Sequence, residues 1–215
     1  MFEQNKNNIN LLILTCGSIL FLFKWYLAFN YYEEDISSKI IFESISDGYY
    51  YFSEFKLFTD LNLNNSFDPF INDLKNVTIP TGSFALHFIF YLFFKELSFI
   101  ILEFFFVVLF LIIFYKISRL LGFGRIKSLT IAIILFNLPI ILEILHLNST
   151  EYVRVLYTDF YSLRFPRPLV SNIFFYIFIL FILKIRNKKI LTKKNSLIFG
   201  AISGFTFTSF YHFFI

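Results

Sequence analysis

Apolar residues along this chain gather into long blocks and do not alternate with polar ones. A helix that crosses a bilayer needs about 20 mostly apolar residues. Five blocks reach or approach that length: Ile9–Phe29, Leu97–Tyr115, Leu129–Leu147, Leu169–Ile185 and Ser196–Ile215. The first closes on Trp25, Tyr26, Phe29 and Tyr31, with no small-residue cleavage site. It therefore predicts a retained helix with an interfacial aromatic belt, not a signal peptide. A sixth block, Ser83–Phe94, is only about twelve residues long, the length of an interfacial or re-entrant helix.

The charged residues give these blocks a direction. Lys116, Arg119, Arg125 and Lys127 share one connecting stretch that holds no acid, and Lys184, Arg186, Lys188, Lys189, Lys193 and Lys194 share another. Basic connections stay in the cytoplasm. The stretch from Asn30 to Ile79 carries Glu33, Glu34, Asp35, Glu43, Asp47, Glu54, Asp60, Asp68 and Asp73 against Lys39, Lys56 and Lys75. It reads as exterior. These assignments agree only if one segment between Ile79 and Lys116 crosses. Leu97–Tyr115 then crosses, and Ser83–Phe94 lies at the outer surface. The same topology sets Glu103, Glu143, His146 and His212 toward the outer ends of their helices, at the depth of Lys24. Ionisable residues inside a membrane are costly and mark a site by default. For each one alone, snorkelling to the interface is the plainer account. As a group they predict a polar cavity open to the outside.

Composition agrees with this class. The chain has 215 residues, of which 57% are hydrophobic, 23% aromatic and only 16% charged; its mean hydropathy is +0.68. These values exclude a disordered chain and a soluble nucleic-acid binder. Cys16 is the one cysteine, so no disulfide or thiolate metal site forms within the chain. The expected fold is all-α: a polytopic transmembrane helical bundle of about five spans. It is expected to form a single module with residues 30–95 as an outer loop, and a bacterial inner membrane is the expected location.

That loop alternates acids with aromatics. Ile41, Ile45, Tyr49, Phe52, Leu57 and Leu61 recur at three-to-five spacing, which predicts one or two amphipathic helices on the membrane surface. Ser46 or Asp47 is placed to cap the second. Phe67-Asp68-Pro69 and Ile79-Pro80-Thr81-Gly82 are turn chemistry. The order of a first helix, then Asp47-Gly48-Tyr49-Tyr50, then Phe67 to Pro69, then Pro80 to Gly82 and an apolar segment with His87 resembles the start of the C-type glycosyltransferase superfamily. Its members include oligosaccharyltransferase catalytic subunits, protein O-mannosyltransferases and bacterial lipid-linked sugar transferases. Arg119-Leu120-Leu121-Gly122-Phe123 is similar to the basic, Gly-containing turn after the family's second helix. Asp159 matches by position a second acidic motif of oligosaccharyltransferases.

The resemblance implies transfer of a sugar from a polyprenyl-phosphate carrier, held among membrane lipids, to an acceptor on the outer face. Asp47 is then the catalytic acid, acting as general base toward an acceptor hydroxyl or as a ligand to a divalent cation. Whether a metal is required stays open. Tyr49, Tyr50 and His87 belong to the matching stretch and are expected at the substrate. Leaving phosphate develops negative charge. Arg164 and Arg167, on a proline-stiffened segment just before a helix, are the candidates to receive it. Anchoring to lipid head groups is the alternative for that pair. Asp159 is a possible second acid or only an arginine partner. His87, His146 and His212 lie far apart in sequence, and a metal triad would require the fold to bring them together.

Two other classes of function stay in play: a non-catalytic membrane scaffold and a transporter subunit. A transporter predicts Gly/Pro-broken helices and inverted repeats, and neither is visible. The last block is still apolar at Ile215, so the chain is expected to be the N-terminal portion of a longer transferase.

Overall fold

A computed structural model of the protein describes residues 2–32, 59, 66–68, 73–75, 81–145, 169–188 and 192–209. Each apolar block is helical where it is described. The helices are α1 (Phe2–Tyr32), α2 (Thr81–Phe94), α3 (Leu97–Leu120), α4 (Arg125–Ile144), α5 (Leu169–Lys188) and α6 (Lys193–Ser209). Two contain stretches long and apolar enough to cross a membrane, Asn8–Leu27 and Leu97–Leu120. Helical structure outruns the apolar blocks at several ends. α3 continues past Tyr115 through Lys116, Ile117, Ser118 and Arg119, because long basic side chains favour helix and carry their charge outward along it. α4 starts before its apolar block and ends at Ile144, short of Leu147.

Outside the helices is one element that an all-α reading does not contain. β1 (Ser66–Asp68) and β2 (Asp73–Lys75) pair antiparallel, with Phe67 opposite Leu74. Phe67 and Asp68, read as turn residues, are thus the end of a strand, and the reversal lies between Asp68 and Asp73. Of the surface helices expected between residues 33 and 65, the helical Thr59 is described and the rest falls outside the described residues.

α3 is the centre of the bundle and packs against α1, α2, α4 and α5; α6 closes on α5 and α2. Of its apolar stretch 56% is buried, against 17% in α1. α1 is therefore a peripheral helix, with Leu11, Ile19, Leu22 and Phe23 facing outward. An exposed apolar surface of that extent marks a membrane or a partner. Aromatic rings knit the interior. Phe110 meets Phe114, Phe136 and Tyr176 with centroids 4.5, 5.5 and 5.9 Å apart. Such pairs add about 0.5–1.5 kcal/mol each beyond area burial. Where lipid replaces water outside the bundle, this packing carries more of the association than hydrophobic burial does.

The pairings fix helix direction. Lys24 of α1 sits at Glu103 of α3, while Ile9 and Asn10 share a cavity with Tyr115 and Lys116, so α1 and α3 run antiparallel. Between these points α1 comes close at Gly17, where a β-carbon would lie 2.9 Å from Val108 Cγ2. α3 ends in a Schellman turn. Gly122 takes φ +95, its N–H donates to Arg119 O at 3.2 Å, and Phe123 N–H donates to Ser118 O at 3.2 Å. The chain reverses there into α4.

α2 behaves differently. His87 contacts Phe99 and Phe90 contacts Phe105. Contacts rise along both helices together, which an antiparallel hairpin forbids, so α2 crosses the start of α3. Its 14 residues span about 21 Å, short of a roughly 30 Å hydrocarbon core.

Candidate functional site

Polar groups are buried where α1, α2 and α3 meet, at the end from which residues 33–80 depart. Glu103 lies six residues into α3, and its carboxylate is almost wholly enclosed, with 3% side-chain exposure. Lys24 Nζ donates to Glu103 Oε1. Trp25 Nε1–H donates to Glu103 Oε2 at 3.0 Å. Both carboxylate oxygens are therefore met from α1, one by a charge and one by a neutral donor. Trp25 is itself buried, and the Lys24 ammonium lies 5.4 Å from its ring centroid. The lysine side chain remains 41% exposed, so its head reaches toward the helix end as an interfacial lysine does.

The sequence placed Lys24 and Glu103 at one depth, and the structure pairs them. Glu103 is enclosed, with 3% side-chain exposure, while the side chains of Glu143, His146 and His212, the rest of the expected cavity, fall outside the described residues. Trp25 as a donor was not foreseen, because depth along a helix follows from counting residues whereas rotation about the axis does not.

His87 forms a second buried contact. Nε2 and Ser98 Oγ are 3.0 Å apart and share a hydrogen bond, and the imidazole lies edge-on to Phe99 at 4.1 Å. α2 lies outside the two long apolar helices. Burial pushes the His87 pKa down from 6.5 to about 3, because an enclosed apolar site disfavours the imidazolium. His87 is therefore neutral and pins α2 onto α3 at the turn formed by Lys95 and Glu96. A signal for this was present: Ser98 opens the apolar run that follows His87. The short turn that brings them together was not readable from composition.

The other predicted site residues lie outside the described residues: Asp47, Tyr49, Tyr50, Asp159, Arg164 and Arg167, with His146 and His212. Glu143 is on α4, and its side chain falls outside as well. Among the described residues no cluster of three His, Cys, Asp or Glu is placed to hold a metal. What is described is a frame. α1 delivers the chain into residues 33–80, α2 receives it at Thr81, and the Glu103 and His87 contacts lock both helices to α3. No family model, curated protein or solved structure matches the chain.

Proposed function

We propose that the chain is the membrane module of a C-type glycosyltransferase. It has five crossings in a bacterial inner membrane and moves a sugar from a polyprenyl-phosphate donor to an acceptor on the outer face. The crossings are α1, α3, α4, α5 and α6, and α2 lies across the outer end. One observation carries the reading. The helices flanking residues 33–80, α1 and α2, are held to α3 by buried polar contacts at Glu103 and His87. Burying a carboxylate among apolar helices is expensive, and a loop that must hold an acid in register gives such anchoring a purpose.

In this reading Asp47 accepts the acceptor hydroxyl's proton as that oxygen bonds to the anomeric carbon. The bond from the anomeric carbon to the carrier phosphate breaks, and its electrons leave with the phosphate. Arg164 and Arg167 neutralise the charge that develops there, by two-pronged donation suited to phosphate oxygens. Tyr49 and Tyr50 sit beside the acid in sequence and face the sugar.

The test is sugar transfer from a labelled polyprenyl-phosphate donor in membranes containing Asp47→Asn protein. Loss of a positioned general base lowers the rate by about 10²–10⁴-fold. Unchanged transfer at matched expression overturns the role of Asp47 and moves the chain to the scaffold class.

A further inference from the structure

We infer that the opposite end of the bundle holds a binding site for the phosphate of an anionic membrane lipid. A cavity of about 500 Å³ opens there, within the usual range for small-ligand sites. Four cations line it: Lys116 and Arg119 from the end of α3, Arg125 from the start of α4, and Lys184 from α5. Asn10 and Tyr115 add neutral polar groups, and among the described residues no carboxylate lines the cavity. The one ion pair among the described residues, Lys24–Glu103, belongs to the other end.

Four like charges converging on one cavity repel one another, and an anion removes that cost. Phosphate suits the donors, because guanidinium groups meet its oxygens in pairs and ammonium groups meet them as point charges. Arg119 is already oriented: its Nη1 donates to Phe123 O at 2.6 Å, which spends one of its five donors. Asn187 of α5 donates to Leu120 O at 3.4 Å and ties the Lys184 end of α5 to the same turn.

The floor of the cavity distinguishes a lipid from a free phosphate. Ile9, Ile13 and Ile112 line it, and Leu11, Leu12 and Leu14 on the adjoining turn of α1 face outward. Polar lining thus grades into an apolar helix surface along which acyl chains can lie. Basic pockets between membrane helices on the positive-inside face recognise anionic head groups in this way. The site does not depend on the glycosyltransferase reading, since it lies at the opposite end of α3 from Glu103.

The experiment is thermal unfolding of the full chain in mixed micelles. Phosphatidylglycerol is titrated against phosphatidylcholine, with inorganic phosphate as a third arm. The expected result is a saturable rise in Tm with phosphatidylglycerol alone, as binding to the folded state requires. Arg119→Gln and Arg125→Gln should each weaken half-saturation by about tenfold. Lys193→Gln, outside the cavity, should leave it unchanged and shows that lost charge alone is not the cause. Lys184→Gln serves as a further variant should either arginine change impair folding. No phosphatidylglycerol-specific shift, or one that all three cavity variants retain, overturns the proposal. An equal shift with inorganic phosphate overturns the lipid assignment.

Discussion

At the scale of single residues, Glu103 stands out as the buried carboxylate among the described residues. Its carboxylate has left water, and two α1 groups replace what it lost. Removing one partner from a buried pair costs more than removing both, because it strands the other charge. Lys24→Met should therefore destabilise the protein by about 3 kcal/mol, even though Lys24 is partly exposed. Glu103→Gln keeps an acceptor for Trp25 and should cost about 1 kcal/mol. In the double variant Lys24→Met/Glu103→Gln much of the first loss should return, as a coupling of about 0.5–3 kcal/mol. Unfolding in detergent under one set of conditions measures all three. Additive losses would show that the two residues act separately and that the pair does not hold α1.

At the scale of elements, α2 is distinctive because of His87. The imidazole is neutral in the fold and protonates readily once unfolded. Its folded pKa, about 3, lies below the ordinary 6.5, so its stability contribution is complete above 6.5 and falls as pH drops toward 3. The slope reaches at most about 1.4 kcal/mol per pH unit. His87→Leu should lack this component, so the difference in Tm between wild type and variant should narrow as pH falls. A constant difference across that interval would mean that His87 is not held neutral by burial. The elements themselves were largely legible. Apolar blocks at Leu97, Leu169 and Ser196 are helical where they are described, because an apolar run must satisfy its backbone within itself; of these three, the Leu97 helix is the one long and apolar enough to cross a membrane. The β1–β2 hairpin was not legible, because strands of three residues among Asn and Asp carry no alternation to detect. Nor was the basic cavity, whose lining adds the start of α1 and Lys184 of α5 to the basic turn between α3 and α4.

At the scale of the whole molecule, the open question is which face each end of the bundle meets. The Schellman turn after α3, the start of α4, the end of α5 and the start of α6 all carry basic residues. The antiparallel run of α1 against α3 puts the beginning of α1 with them and its end, leading into residues 33–80, at the far side. The orientation that puts both acid-free basic turns in the cytoplasm also puts the acidic stretch outside, and Arg154, Arg164 and Arg167 go outside with it. Its test uses single cysteines in a Cys16→Ser background and an impermeant thiol reagent on intact cells. The basic-side position should be Gly124 rather than Gly122. Gly122 needs its positive φ, whereas a β-carbon at Gly124 meets nothing within 4 Å. Gly48→Cys reports on the acidic stretch. Gly48→Cys should label before permeabilisation and Gly124→Cys only after it. The reverse order would invert the bundle and put the cavity of Arg119 and Arg125 on the outer leaflet. Equal labelling of both before permeabilisation would place residues 48 and 124 on one side. The separation of acidic and basic ends would then not be a membrane topology, and a site for sugar transfer at the Glu103 end would lose its basis.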